Sequence, residues 1–239
     1  MQLKQLKKDL KHSIFLAKKR VQYQLSQPGS VDWLVGTELK FGGIETNVPR
    51  NKVSPNDPRT KAQLQKGGMI GGDRMYHHGY ADKYAEFLAP FVKQPPKTVV
   101  EAGILKGTGL AIWCDLFPKA RVLGLDIDLN HIQSNMANLE KRGAFRENRP
   151  ELYEYDQLID NTEYVRALLK GDTIDVCIDD GLHSHDSILT TMDSLLPFLS
   201  KKFVYFIEDN DTVHEKIREK FTDFYVENVG ELTVVTNND

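Results

Sequence analysis

The sequence is poor in cysteine, has no long hydrophobic segment and has little net charge. Its 239 residues include two cysteines, Cys114 and Cys177, which lie far apart in apolar stretches. A disulfide framework or a zinc site is therefore not expected, and a reducing cytoplasm is the expected compartment. The longest apolar runs have the length of strands, which predicts no membrane span. The net charge of −3 gives no reason to expect nucleic acid as a partner.

The first 25 or so residues predict one amphipathic helix. Lysines occupy one face, and apolar residues recur on the other at spacings of three and four, namely Leu3, Leu6, Leu10, Ile14, Ala17 and Val21. Pro28-Gly29 follows the helix and ends it. We expect this helix to pack on the domain or on a second subunit, which would give a homo-oligomer through the N-terminal region. Contact with a membrane surface or with nucleic acid is the alternative.

Residues 30–80 predict irregular structure, because glycines and prolines interrupt every longer periodicity. A long segment of this kind is more often a lid or a binding segment than a simple connector. We therefore divide the chain into an N-terminal helix and substrate cap, residues 1–75, and a catalytic domain, residues 76–239.

From residue 80 onward, predicted helices alternate with short apolar strands. The strands are expected at 98–102, 121–126, 152–155, 174–179, 203–207, 224–228 and 232–236. Strands separated by helices form βαβ units and a parallel sheet with helices on both faces. The last two strands, joined by Gly230, predict an antiparallel hairpin. The predicted fold is an α/β, Rossmann-like, mostly parallel seven-stranded sheet, and its closing hairpin distinguishes the methyltransferase variant from dinucleotide dehydrogenases.

A glycine-rich loop lies between the first of these strands and the next helix. Its pattern is E-x-G-x-x-x-G-x-G, formed by Glu101, Gly103, Gly107 and Gly109, and it differs from the G-x-G-x-x-G of dinucleotide sites. Glycines allow the backbone and the helix N-terminus to approach a ligand closely, although a purely structural turn is the alternative. The next strand ends at Asp126, whose carboxylate could bind both ribose hydroxyls of a nucleoside.

Two features of this loop favour S-adenosylmethionine (SAM) over other nucleotide cofactors. Glu101 would repel a pyrophosphate but could help to hold a cationic sulfonium ligand and its amino group. Lys106 lacks the adjacent serine or threonine of a phosphate-binding loop, so ATP hydrolysis is not expected. Asp128 could share the ribose-binding role of Asp126, but capping of the following helix is the preferred interpretation.

Acidic residues follow two strands that are expected to be neighbours. Asp180 follows the fourth strand, and Glu208 and Asp209 follow the fifth, so the three carboxylates should meet at one edge of the sheet. Clustered carboxylates require a counter-charge, and a hard divalent ion such as Mg²⁺ would supply it. The alternative is that some of these acids cap helices or face solvent. His183 could take a proton from a hydroxyl group, with His185 as its competitor.

At these residues the chain resembles the metal-dependent sugar O-methyltransferases of the macrocin and mycinamicin type, together with the cephalosporin-hydroxylase-like proteins. The motifs that carry the resemblance lie between Gly72 and Asp211: His77-His78-Gly79-Tyr80, the loop Glu101–Gly109, Phe117-Pro118-Lys119-Ala120, Gly124-Leu125-Asp126, Tyr155-Asp156-Gln157, Asp179-Asp180-Gly181-Leu182-His183 and Glu208-Asp209. Leu182 replaces the family's serine, and Lys201-Lys202 replaces a glycine pair before the fifth strand.

The resemblance implies a role for each of these positions. Asp126 would bind the ribose, and Asp156 and Gln157 would contact the adenine. Asp180, Glu208 and Asp209 would be the metal ligands, with His183 as the base. The expected activity is transfer of a methyl group from SAM, assisted by Mg²⁺, to a hydroxyl of a sugar or a glycosylated small molecule. An NAD-dependent oxidoreductase and a non-catalytic SAM-binding interaction module are the alternatives.

Overall fold

A computed structural model describes residues 2–66 and 68–238, apart from the side chains of residues 2–9, 12, 13, 16 and 20. The N-terminal part contains two long helices, one short helix and a small antiparallel pair of strands. These elements are α1 (Gln2–Leu25), α2 (Val31–Phe41), β1 (Glu45–Val48), α3 (Lys61–Leu64) and β2 (Met69–Gly71). The predicted N-terminal helix is thus confirmed, although the side chains of Leu3 and Leu6 lie outside the described residues.

Helix α2 corrects the prediction of irregular structure from residue 30. Trp33, Leu34 and Phe41 are buried on one side of it and join the main apolar core. Gly36 lies in the middle of this helix. Its position is explained by contact with α1, since a Cβ on Gly36 would lie 2.4 Å from Cβ of Tyr23. The prediction took Gly42, Gly43 and the later glycines and prolines as breakers of any long periodicity, whereas tertiary packing stabilises a helix that ends just before Gly42.

The rest of the chain follows the predicted alternation of helices and strands. Its elements are α4 (Ala81–Lys93), β3 (Thr98–Ala102), α5 (Thr108–Leu116), β4 (Arg121–Asp126), α6 (Asn130–Lys141), β5 (Glu151–Glu154), α7 (Thr162–Leu169), β6 (Ile174–Asp179), α8 (His185–Leu195), β7 (Leu199–Ile207), α9 (Val213–Lys220), β8 (Phe224–Val229) and β9 (Leu232–Asn237). The strand order is β5-β4-β3-β6-β7-β9-β8. Strands β5, β4, β3, β6 and β7 pair in parallel, and β9 pairs antiparallel with β7 and with β8. The predicted fold class and its closing hairpin are confirmed.

The central strands are apolar on both faces because helices cover both sides of the sheet. One core layer includes Val99, Val176 and Trp113, and the other includes Val100 and Cys177. Cys114 and Cys177 are both buried and unbonded. No helix within the described ranges is long and apolar enough to cross a membrane.

The order of the strands indicates at which edge of the sheet a ligand would bind. The chain moves outward from β3 to β4 and β5, and then returns to β6 on the other side of β3. In open α/β sheets, ligands bind beyond the carboxyl ends of the strands at such a reversal. The backbone ladder continues past the strand ends, since the Asp180 N–H donates to the Ala102 carbonyl and the Glu208 N–H to the Asp179 carbonyl. This ladder sets the residues after β3, β6 and β7 side by side.

Candidate active site

The glycine-rich loop after β3 is shaped by close contacts as well as by backbone conformation. Gly103 has φ +83°, and a Cβ built on it would lie 2.1 Å from the Asp180 carbonyl oxygen. Gly107 has φ +79° and immediately precedes α5, where a Cβ would meet the Ile132 side chain at 2.5 Å. Glycine therefore lets the loop backbone lie against the residues after β6 and against α6. Gly103 lines a cavity at this edge of the sheet, whereas Gly107 is not among the residues that line it.

The carboxylate of Glu101 forms a buried ion pair with Arg74. Its carboxylate accepts a hydrogen bond from Trp113 Nε1 at 3.1 Å and lies 2.7 Å from Arg74 Nη2. A Cβ on Gly109 would lie 2.0 Å from Glu101 Oε1, so glycine at 109 leaves room for this pair. Glu101 and Gly109 both line the cavity. Their predicted contacts with the cofactor stay predictions, and the pairing of Glu101 with Arg74 was not foreseen.

Asp126 holds the glycine-rich loop against the end of β4. Its Oδ2 accepts the N–H groups of Ile104 at 2.9 Å and Leu105 at 3.0 Å, and its Oδ1 accepts that of Asp128 at 2.9 Å. Burial raises the pKa of Asp126. The carboxylate lines the cavity beside the loop, where the predicted ribose contact would require it. Asp128 accepts the N–H of Asn130 at 3.0 Å, a contact at the beginning of α6.

Asp156 and Gln157 follow β5, and both line the cavity. Asp156 Oδ2 accepts the Ser54 hydroxyl at 2.6 Å, which connects the N-terminal segment to the sheet. Gln157 Nε2 donates to Asp179 Oδ1 at 2.7 Å, and its Oε1 accepts the N–H of Leu182 at 2.8 Å. Gln157 thus fastens the loop after β6. Contact of either residue with adenine stays a prediction.

Asp180 and Asp209 meet at the mouth of the crevice. Their side chains are 28% and 30% exposed, respectively, and both line the cavity. With His183 they offer ligand atoms that all lie within 4.8 Å of one another. Carboxylate oxygens are the ligands that Mg²⁺ prefers, so this donor set fits the predicted divalent cation.

Glu208, the third predicted ligand, faces the interior. Its side chain is 2% exposed, and its carboxylate accepts hydrogen bonds from Arg74 Nε and from the Tyr84 hydroxyl. Burial raises the pKa of Glu208, and the Arg74 guanidinium opposes that rise. The structure therefore does not group Glu208 with the other two acids, and its role as a metal ligand stays a prediction.

Arg74 is a buried cation that the sequence analysis missed. It lies between β2 and α4 and is 6% exposed. Its Nη2 is 2.7 Å from both Glu101 Oε1 and Asp180 Oδ2, and its Nε is 3.1 Å from Glu208 Oε1. Glu101 lies near the end of β3, and Asp180 and Glu208 directly follow β6 and β7, so the three acids come from strands that are neighbours in the sheet. When all three are ionised, these carboxylates carry more negative charge than a single guanidinium can balance, and a divalent cation would reduce the excess.

The two candidate histidines occupy different environments. His183 Nδ1 lies 3.3 Å from the Glu208 carbonyl oxygen, and its Nε2 lies 4.0 Å from Asp180 Oδ1. If Nδ1 carries the proton and donates it to the carbonyl, the lone pair of Nε2 faces the crevice. His185 Nε2 instead contacts Thr212 Oγ1 at 2.9 Å. The structure thus places His183 at the predicted chemical site and His185 beside α9.

The segment before α4 also reaches this site. His78, Asp209 and Glu231 form a second group whose ligand atoms lie within 4.8 Å of one another. The Tyr80 hydroxyl donates to Asp209 Oδ1 at 2.9 Å, and burial together with the Asp209 carboxylate raises the pKa of Tyr80. The His77-His78-Gly79-Tyr80 motif therefore contributes residues to the junction between the N-terminal part and the chemical edge of the sheet.

This arrangement of sheet, helices and closing hairpin is the Rossmann-like fold of class I methyltransferases. Among solved structures, MycE, the mycinamycin-pathway methyltransferase in complex with Mg, SAH and mycinamycin VI, is 19% identical, with a TM-score of 0.54 over 68% of this chain and 50% of that chain. A Klebsiella pneumoniae protein described as an O-methyltransferase is 13% identical, with a TM-score of 0.53 over 93% of this chain and 97% of that chain. At these identities the likeness shows the fold.

A curated relative is similar in sequence. It is the 8-demethyl-8-α-L-rhamnosyl tetracenomycin-C 2′-O-methyltransferase of Streptomyces olivaceus, 29% identical over 150 residues, which are 59% of this chain and 36% of the relative. The chain thus matches about a third of the length of that protein and half of MycE. No protein-family model matches the sequence.

Proposed function

We propose that this protein is a SAM-dependent, Mg²⁺-assisted O-methyltransferase that acts on a hydroxyl of a sugar or a glycosylated small molecule. The observation that carries the proposal is that one cavity, of about 420 Å³, is lined both by the glycine-rich loop with Asp126 and by Asp180, His183 and Asp209. A cavity of this volume suits a small-molecule ligand. The names of the curated relative and of the MycE complex support a glycosylated acceptor.

Each part of the cavity has a task in this proposal. SAM would supply the methyl group, and a bound Mg²⁺ would lower the pKa of the acceptor hydroxyl. Asp180 and Asp209 would hold the cation, with Glu208 as the third predicted ligand. His183 accepts the hydroxyl proton at Nε2, because its Nδ1 faces the Glu208 carbonyl. Fixed positions for the proton acceptor and the acceptor hydroxyl provide much of the rate enhancement.

The other predicted residues would bind SAM. Asp126 would accept the ribose hydroxyls, and Asp156 and Gln157 would lie against the adenine. Glu101, Gly103 and Gly109 would line the part of the cavity that receives the methionine moiety, and Gly107 would set the turn that leads from this loop into α5. The alternatives, an NAD-dependent oxidoreductase and a non-catalytic SAM-binding module, lack comparable support, because neither requires a cation-binding pair of acids next to a histidine.

Calorimetric titration distinguishes a SAM-binding protein from an NAD-binding one, and a measured rate of methyl transfer then separates the enzyme from a non-catalytic SAM-binding module. The purified protein should bind S-adenosylhomocysteine with a stoichiometry of one and should give no signal with NAD, each measured with and without Mg²⁺. Replacement of Asp126 by alanine should weaken that binding at least about tenfold, because one good charge-assisted contact contributes roughly 1.5–3 kcal/mol. Asp172→Ala, at an exposed position beyond α7, is the matched control. Binding of NAD together with silence toward S-adenosylhomocysteine would overturn the proposal.

We further propose that residues 1–75 form the substrate cap and that α1 mediates a homo-oligomer. Tyr23 of α1 packs against Trp33, with ring centroids 6.5 Å apart, so this side of the helix faces α2. The predicted apolar stripe lies elsewhere on α1, and Leu10, Ile14 and Val21 are 61%, 61% and 55% exposed. A row of exposed apolar residues on one helix is a common feature of contact surfaces between subunits. Such an oligomer, in the cytoplasm and without nucleic acid, is the expected form.

Light scattering coupled to size exclusion tests the oligomer. The wild-type protein should have a mass of at least two chains, and the double variant Ile14→Lys/Val21→Lys should have the mass of one. Ile159→Lys/Tyr164→Lys changes two exposed apolar residues away from α1 and should leave the mass unchanged. A wild-type protein that has the mass of one chain at every concentration would contradict the proposal.

A further inference from the structure

We propose that Arg74 is a positioning residue that orients the Asp180 carboxylate toward the divalent cation and connects this site to the cofactor loop. The inference rests on the proposed function, since it takes the cation to bind at Asp180 and Asp209. Arg74 touches neither the acceptor nor the methyl group in this scheme. It acts through the carboxylate that it holds.

The contact with Asp180 determines which oxygen faces the crevice. Arg74 Nη2 lies 2.7 Å from Asp180 Oδ2. The other oxygen, Oδ1, is the one that lies 4.0 Å from His183 Nε2. The guanidinium therefore occupies one side of the carboxylate and leaves the opposite oxygen toward His183. A ligand carboxylate held in this way by an outer partner has fewer orientations to lose when a metal ion binds.

The guanidinium is itself immobilised from several directions. Glu101 holds Nη2 at 2.7 Å, and Glu208 holds Nε at 3.1 Å. The Trp113 ring lies beneath the group, with Cζ 5.5 Å from the ring centroid. A planar, forked cation can contact acids from three neighbouring strands at once, whereas a lysine ammonium is a single point charge. These contacts therefore require arginine, and not merely a positive charge, at position 74.

The backbone next to Arg74 is also anchored. Glu38 of α2 is buried, and its carboxylate accepts the N–H groups of Met75 and Tyr76, each at 2.9 Å. Burial raises the pKa of Glu38 to about 7. Helix α2 thus supports the turn that carries Arg74. This gives a physical path from the N-terminal segment to the chemical edge of the sheet.

Binding of Mn²⁺, measured by calorimetry or by the electron paramagnetic resonance of the free ion, tests the proposal without an acceptor. Arg74→Met should weaken Mn²⁺ binding about 10- to 100-fold, the usual effect of removing an outer partner of a metal ligand. Arg74→Lys should bind with intermediate affinity. The direction of the change in Mn²⁺ affinity is informative, because removal of a positive charge would by itself tighten cation binding. Weaker binding therefore reports loss of positioning.

Arg121→Met is the matched control. Arg121 also pairs with a carboxylate, since its Nε lies 2.7 Å from Glu151 Oε1, but this pair lies at the opposite end of the strands. The control should bind Mn²⁺ within about twofold of wild type, and thermal melting should confirm that all variants are folded. If both Arg74 variants bind Mn²⁺ like wild type, or if Arg121→Met loses as much affinity, the proposal is overturned. Failure of the wild type to bind either S-adenosylhomocysteine or Mn²⁺ would instead contradict the proposed function.

Discussion

Replacement of His183 by alanine should lower kcat for methyl transfer by about 10²- to 10⁴-fold, the usual contribution of a general base. The affinity for S-adenosylhomocysteine should change little, because the His183 ring lies toward Asp180 and the Glu208 carbonyl. The rate is measured as release of S-adenosylhomocysteine, with a glycosylated acceptor found by screening. The loss should appear in kcat more than in KM, since the proton is transferred during the chemical step.

His185→Ala is the control for this experiment. His185 is two residues away and has the same side chain, but its Nε2 contacts Thr212. It should therefore retain kcat within about twofold of wild type, in line with ordinary surface substitutions. Equal losses in the two variants would show that the loop, and not the base, is affected. Full activity of His183→Ala would remove His183 from the mechanism.

The part of the fold that the sequence predicts best is the part built from local patterns. The strands Thr98–Ala102 and Arg121–Asp126 have the predicted bounds, because each is a short, mostly apolar run that ends at a loop. The sequence analysis missed helix α2 because no local pattern marks it. Its stability comes from burial of Trp33 and Leu34 against distant parts of the core, which local periodicity does not report.

The site was predictable at strand ends and unpredictable where distant segments meet. Asp180 and His183 follow one strand, and topology alone brings them to the crevice. Arg74 reaches Glu208 across 134 positions of sequence, from a segment with no regular pattern. A lone arginine in such a segment gives no indication that it will be buried. What could have pointed to it is the excess of acids at this edge, which requires a counter-charge.

The pair Glu208-Asp209 shows a further limit of sequence reasoning. Successive residues in an extended strand point to opposite faces, so two adjacent acids do not automatically face one site. Here Glu208 points into the interior, whereas Asp209, with φ +57°, turns toward the crevice. Asp179 and Asp180 show the same division, because Asp179 is 1% exposed and held by Gln157. Doubled acids at a strand end therefore predict one residue in the crevice more securely than two.

Replacement of Gly103 by alanine should destabilise the protein by about 2–4 kcal/mol. Roughly 1 kcal/mol comes from placing a side chain at φ +83°, and about 1–3 kcal/mol comes from displacing tightly packed atoms. The displaced atoms are the backbone of Asp180, whose carbonyl oxygen would lie 2.1 Å from the new Cβ. Since backbone cannot move aside as a flexible side chain can, the loop after β6 must shift. Chemical denaturation measures the free energy of unfolding.

Gly171→Ala separates the two contributions. Gly171 also has positive φ, +98°, but a Cβ there would meet no described heavy atom within 4 Å. The free energy of unfolding of Gly171→Ala should therefore fall only by the conformational contribution, about 1 kcal/mol. Gly103→Ala should also weaken Mn²⁺ binding, because the shifted backbone carries Asp180 away from Asp209, whereas Gly171→Ala should leave it unchanged. If the two variants lose equal stability and both bind Mn²⁺ like wild type, the close approach of the glycine-rich loop to β6 does not shape the cation site.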